Sequence, residues 1–271
     1  RIKIPQYLLV SDTGYLSFPE LYAANYARFA RLNSADFFRK AKKLIVFSNY
    51  QKQEIIKLYK LNETKISVWH PGIPVSYQPA PIKDTEEFKL QHTDGKDYML
   101  FYGAIEEKSR LMNILKAFSH FKKRLKTNMQ LLLVTPEVPQ ENEFVKSLSL
   151  YKYRDDVKLL AVPDKETLIK MIGAAYACIN LSPAAADAFF LLKSLKTGVP
   201  VIAGNYHAVI SLVNNAALFA DPLSVDMIAE KMMLLYKDEK MRTELIREGL
   251  IQVNQYDEKM ANAALANLLL Q

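Results

Sequence analysis

The amino-acid sequence predicts an α/β protein built on parallel sheets, and three observations predict it. Nine runs of strand length, each apolar at nearly every position, are spread along the 271 residues; runs apolar on both faces are what sheets covered by helices on both sides require. Longer segments of helical period fill the gaps between them, which is the alternation of βα units. Four prolines fall within eleven positions, Pro71, Pro74, Pro79 and Pro81, and divide that alternation into two parts.

The expected strands are residues 7–10, 44–47 and 66–69 before the prolines, then 98–102, 130–134, 157–160, 177–181, 199–203 and 216–219. The longest helical segment of the first part runs over 19–43. It carries Tyr22, Tyr26 and Phe29 at helical spacing, followed by Arg28, Arg31, Arg39, Lys40, Lys42 and Lys43. Ser48 and Gln51 form a capping box ahead of a helix over 54–60, where the serine oxygen and the glutamine side chain satisfy amide donors that a helix start leaves orphaned. Residues 70–96, closing on Asp94-Gly95, read as an interdomain linker, because clustered prolines sustain neither a helix nor an inner strand. Three strands are too few for a complete doubly wound unit, so residues 1–93 make a smaller, incomplete Rossmann-like lobe. Residues 97–255 make a full doubly wound domain, with Asp164 and Ser224 placed as helix N-caps, and 256–271 a closing helix.

Composition narrows the function classes. Half of the residues are hydrophobic and 24% charged, the balance of a globular chain and not of a disordered one. No run reaches the roughly 18 to 20 uncharged apolar residues of a membrane helix, and the opening Arg1-Ile-Lys-Ile-Pro5 lacks the apolar stretch of a secretory signal. The single cysteine, Cys178, has no disulfide partner in the chain and suits a reducing compartment, so the expected location is cytoplasmic, with peripheral membrane attachment as the alternative. Positive charge gathers at one end. Residues 1–93 hold 14 Lys and Arg against 8 Asp and Glu, while the remainder holds 22 against 21. Such asymmetry fits an acidic membrane surface or an acidic protein partner for the first lobe, or scattered lysines that keep the surface soluble.

Three stretches resemble the retaining glycosyltransferases of group 1, the two-lobed GT-B enzymes with a Glu-x7-Glu signature. They are Ala41-Lys-Lys-Leu-Ile-Val-Phe-Ser48 running on to His70-Pro-Gly-Ile73; Tyr98-Met-Leu-Phe-Tyr-Gly-Ala104 through Phe118; and the run ending Thr197-Gly-Val-Pro-Val-Ile202 with Ala217-Leu-Phe-Ala-Asp-Pro222. Ser11-Asp-Thr13 and Phe18-Pro-Glu20 resemble the middle of the family's acceptor lobe. The resemblance implies a GT-B-like fold that this chain enters partway through the acceptor lobe, a closing helix that returns to that lobe, and a UDP- or GDP-linked sugar as donor. No metal and no nucleic acid are expected.

The chemistry implied is departure of an anionic diphosphate, which needs fixed positive charge and amide donors where that charge develops. Counting from Gly103, the family's arginine and lysine positions hold Ala104 and Ser109; Lys108 and Arg110 flank the second, but neighbours on a helix point roughly 100° apart and both read as solvated first-turn residues. Counting back from Gly198, the two glutamate positions hold Ala185 and Lys193. Asp187 is a displaced carboxylate candidate, more simply the N-cap of a helix starting near Ala188. The donor-cleft set by resemblance is therefore Gly103, Ala104, Lys108, Ser109, Arg110, Thr135, Ser182, Ala185 and Lys193. Thr135 runs into Pro136, where the family has glycine and proline removes an amide.

Other chemistries find no support. The chain has neither a dinucleotide fingerprint nor Walker spacing among its eight glycines, and no Gly-x-Ser-x-Gly elbow. Its four histidines, His70, His92, His120 and His207, show no i,i+4 pairing. Three readings stay open: a glycosyltransferase with altered donor contacts, a catalytically silent relative acting as a partner-binding subunit, and a basic surface-binding module.

Overall fold

The computed structural model describes residues 4–140 and 142–270; Arg1 to Lys3 and Gln271, the last residue expected in the closing helix, lie outside them. All nine expected strands form, with ends within two residues of those read from the sequence: β1 (Tyr7–Val10), β2 (Lys43–Val46), β3 (Ile66–Val68), β4 (Tyr98–Tyr102), β5 (Gln130–Thr135), β6 (Val157–Ala161), β7 (Ala177–Asn180), β8 (Val201–Gly204) and β9 (Ala217–Ala220). The helices are α1 (Gly14–Ser17), α2 (Ala24–Lys40), α3 (Asn49–Tyr59), α4 (Ile82–Thr93), α5 (Leu111–Leu125), α6 (Glu143–Ser149), α7 (Lys165–Gly173), α8 (Ala185–Lys196), α9 (His207–Val213), α10 (Val225–Lys237), α11 (Glu239–Gln252) and α12 (Glu258–Leu270).

Two parallel sheets result. The first is three-stranded in the order β1-β2-β3, and the second six-stranded in the order β6-β5-β4-β7-β8-β9. In the second, the chain winds outward from β4 through β5 to β6, then returns to the other side of β4 as β7. The C-terminal ends of β4 and β7 thus diverge at a topological switch point, where open α/β sheets form their binding crevice. Leu100, Leu132, Cys178 and Val201 are fully buried on one face of this sheet, and Met99, Leu131 and Ile202 on the other, as strands covered on both sides must be.

The caps expected at Ser48, Asp164 and Ser224 form, although the helix after Ser48 starts at Asn49, five residues before its expected beginning. Ser48 accepts from the Gln51 amide at 3.1 Å, but the Gln51 side chain turns past Ser48 to accept from the Phe47 amide at 2.9 Å. Asp164 and Ser224 accept from the amides of Thr167 and Met227. The segment expected as linker over 70–96 is corrected at its end: α4 starts directly after Pro81, which stands at the N-cap where its missing amide costs nothing. The segment over 19–43 is also not one helix. A short 3-10 turn over Pro19–Leu21 precedes α2, and Tyr22 lies in extended backbone between them.

Between the sheets the packing is apolar and includes the closing helix. Phe47, just past β2, meets Phe189 of α8 with ring centroids 5.1 Å apart. Trp69 donates its indole N–H to the Ala261 carbonyl at 2.8 Å, and the Ile73 amide donates to Tyr256 at 2.8 Å. Gly72 permits this approach, since a Cβ there would lie 2.3 Å from the Glu258 Cα.

Candidate functional site

The loop after β4 bends sharply. Gly103 donates its amide to Val134 at 3.0 Å, and Arg110, the residue before α5, sits in the left-handed region at φ 53°. That turn buries Ser109, whose hydroxyl donates to the Ala104 carbonyl at 2.6 Å. It also directs Lys108 and Arg110 inward, which corrects their expected place as solvated residues: their side chains keep 19% and 15% exposure.

Lys108 reaches the space between the lobes. Its ammonium lies 3.4 Å from Glu106, 3.9 Å from Asp187 and 5.3 Å from the centre of the Tyr22 ring. Asp187 is therefore not an N-cap. The helix starts two residues earlier, at Ala185, and the Asp187 carboxylate faces Lys108 from its first turn. Asp12, two residues past β1, completes the group by accepting from the Gly14 amide at 2.7 Å and the Tyr22 hydroxyl at 2.9 Å. Burial raises the Asp12 pKa, against the lowering effects of Gly14, Tyr22 and Lys108. Burial opposes the charge of Lys108 too, but Asp187, Glu106 and Asp12 outweigh it and its pKa is raised. Tyr22 is raised by burial and by the Asp12 charge. Arg110 pairs with Glu107 at 2.5 Å and lies against Tyr206, while its buried Nε finds no partner. Four carboxylates, Asp12, Glu106, Glu107 and Asp187, thus surround two cations.

The other expected positions are placed differently. Thr135 is fully buried at the end of β5 and donates its hydroxyl back to Glu137. Ser182 is buried in the loop after β7, and its hydroxyl oxygen accepts from the Ala184 amide at 3.2 Å. Ala185 opens α8 with 1% exposure. Lys193, two turns on, turns to the linker side, where its ammonium stands 5.4 Å over the Tyr77 ring. Its pKa is lowered by burial and by the charge of Lys165. The fold brings Gly103, Ala104, Lys108, Ser109 and Arg110 to the switch point with Ser182 and Ala185; Lys193 is directed elsewhere.

Residues outside the expected donor-cleft set line a cavity of about 250 Å³ beside the charged group. Phe18, Tyr50 and Glu54 come from the first lobe, Asn205 and Tyr206 from the loop after β8, and His207 from the start of α9. The Phe18 and Tyr206 rings meet across the lobes at 5.0 Å. The signal missed was Tyr206, a half-buried aromatic at the N-cap of α9 whose ring partner, Phe18, lies in the other lobe. Among the described residues, no group of three or more His, Cys, Asp or Glu side chains is arranged to hold a metal ion, and no helix is long and apolar enough to cross a membrane.

The sequence model for glycosyl transferases of group 1 matches residues 82–251. A curated relative, O-antigen chain mannosyltransferase B of Escherichia coli, is 20% identical over 246 residues, covering 90% of this chain and 65% of its own length. The chain thus spans just under two thirds of that relative. Sucrose-phosphate synthase from Thermosynechococcus elongatus superposes with a TM-score of 0.83 at 16% identity, over 99% of this chain and 68% of that one. Anabaena HepE, in its complex with UDP-glucose, superposes with a TM-score of 0.80 at 16% identity, over 98% and 72%.

Proposed function

We propose that this chain, which belongs to the glycosyl transferases of group 1, handles saccharide in the cleft between its lobes but holds nucleotide-sugar donors weakly and does not turn them over at an ordinary enzymatic rate. The observation that carries this reading is the charge at the switch point. A leaving diphosphate needs uncommitted positive charge, and the two cations near it, Lys108 and Arg110, are already engaged by carboxylates. The positions that resemblance assigns to diphosphate and ribose contacts hold Ala104, Ser109, Ala185 and Lys193. Ser109 and Ala185 are buried within the packing. Removing one donor to a developing oxyanion costs about 100- to 1,000-fold in rate, and such losses, though not additive, leave little when several occur together.

UDP-glucose is the ligand named for the Anabaena neighbour and mannose the sugar named for the curated relative, so UDP-glucose and GDP-mannose are the donors to try. A radiolabelled-sugar assay over hours should give release no faster than the buffer blank. Turnover near the roughly 1 to 1,000 s⁻¹ of ordinary enzymes would reject the reading.

A second reading concerns α2. Tyr26, Phe29, Leu32 and Phe37 are between 48% and 70% exposed along it, interspersed with exposed Arg28, Arg31 and Arg39 and with Lys40, which pairs with Asp36 at 2.5 Å. This pattern supports docking of the first lobe on an acidic surface, at roughly 1 kcal/mol per basic residue near an anionic bilayer. Sedimentation with anionic but not neutral liposomes, abolished by moderate salt, is the expected result; equal recovery in the supernatant throughout would leave a protein partner in its place.

A further inference from the structure

Lysines that the fold draws away from water are paired. Lys122 lies 2.8 Å from Asp156 and donates to the carbonyls of Thr127 and Met129, Lys89 lies 2.8 Å from both Glu86 and Asp97, and Lys108 stands among the cleft carboxylates. Lys193 departs from this rule. It is half-buried in α8 and has neither a hydrogen bond nor an ion pair among the described residues. Its ammonium stands 5.4 Å over the ring of Tyr77, itself buried in the linker. No carboxylate among the described residues bears on it; the charge that does is another cation, Lys165 at the start of α7, which is exposed and equally unpaired. The Tyr77 phenol is close enough to Tyr102 to feel its charge, and neither hydroxyl has a partner among the described residues. Linker, β4, α7 and α8 thus each bring a donor without an acceptor to the linker side of α8, apart from the charged group at the switch point.

We infer that Lys193 and Lys165 together bind a phosphate dianion, either inorganic phosphate or the terminal phosphate of a small phosphomonoester. An ammonium that is partly desolvated and set beside a like charge is disfavoured on both counts, and a counter-anion between the two lysines relieves both. Two cations suit a double charge better than the single charge of a carboxylate. The free oxygens of a phosphate accept strongly from ammonium groups and leave capacity for the phenols. The resemblance to the family places a glutamate where Lys193 stands, so the charge is inverted, and the ligand inferred is one that a glutamate would repel. The inference goes beyond the donor reading: a sugar nucleotide carries a diphosphate diester and no terminal phosphate.

The test follows the acetylation rate of each lysine at pH 8, mapped by peptide mass spectrometry, while inorganic phosphate, methyl phosphate or acetate is titrated into the whole chain at constant ionic strength. Phosphate should protect Lys193 saturably, acetate should not, and exposed lysines away from α7 and α8 should keep their rates. Protection by methyl phosphate as well identifies a phosphomonoester as the ligand, and protection by inorganic phosphate alone identifies the free ion. Lys165→Met, a change at an exposed position, should raise the half-protecting concentration about tenfold, the loss expected for one charged hydrogen bond, with an unchanged thermal unfolding curve. A Lys193 rate indifferent to phosphate, equal slowing of every lysine, equal protection by acetate, or protection unaltered in Lys165→Met overturns the inference. Binding of UDP-glucose or GDP-mannose measured separately would reject the weak-donor reading and leave this one standing.

Discussion

Replacing Lys108 with methionine keeps most of the side-chain volume and removes the charge that the cleft carboxylates share. At an effective dielectric constant of about 20, the Coulomb attraction is about 5 kcal/mol to Glu106 at 3.4 Å and about 4 kcal/mol to Asp187 at 3.9 Å. Desolvation of an ammonium about four fifths covered offsets most of that. Removing one partner of an exposed pair costs about 0.2 to 1 kcal/mol and of a fully buried one about 3 to 5; Glu106 is half exposed and Asp187 a third, so a loss of about 1 to 2 kcal/mol is expected. For a chain of this size that is a fall in Tm of roughly 2 to 8 °C at pH 8. The pH dependence carries the more specific content. Burial raises the Asp12 carboxyl above its ordinary 3.8, so a proton is bound more tightly in the folded than in the unfolded chain. Stability linked to that proton is present below 3.8 and is lost as pH rises through the folded value. Without Lys108 the ionised form is disfavoured further, so the penalty of the substitution should be full at pH 8 and shrink toward pH 4. Differential scanning calorimetry of both proteins at the two pH values reads it; an equal penalty at both, or none at pH 8, would refute the reasoning.

Three further outcomes follow from the packing. Gly72→Ala should destabilise by about 1 to 3 kcal/mol and release α12, seen as faster amide exchange over 258–270, because the added methyl group meets the Glu258 backbone; unchanged exchange there would contradict the close approach. Ser48→Ala should cost about 1 kcal/mol by removing the N-cap of α3, measurable as a lower denaturation midpoint with unchanged slope. Cys178 is fully buried and its thiol is pushed up to about 12 by burial, so a thiol reagent at pH 8 should label the protein only after denaturant is added; labelling of the native chain within minutes would show the strand to be accessible.

Much of the fold was legible because the physics that sets it is local in sequence. Apolar runs such as Leu131 to Val134 admit few structures other than a strand buried on both faces, and Asp164 and Ser224 cap helices through amides three residues away. The misreadings at the cleft have a common cause in tertiary context. Arg110 takes a left-handed backbone that no local rule favours for arginine, and that turn carries Lys108 inward. Its partners Asp12 and Tyr22 belong to the other lobe. Asp187 reads as a cap because aspartate is a good one; with Lys108 opposite, it serves instead as the partner of an ion pair. The prolines ahead of α4 hid a helix because Pro81 marks its beginning and not an interruption.

The claim on which the functional reading depends is that the proposed donor end of the cleft offers no uncommitted positive charge among the described residues, and calorimetric titration of the whole chain with UDP-glucose and with GDP-mannose measures this directly. The expected result is no saturable heat, corresponding to a dissociation constant of about 1 mM or weaker, near −4 kcal/mol. Saturable binding at about 1 μM, near −8 kcal/mol, and its loss on Lys108→Met would instead show that Lys108 leaves its carboxylates for a donor phosphate, and would contradict the reading.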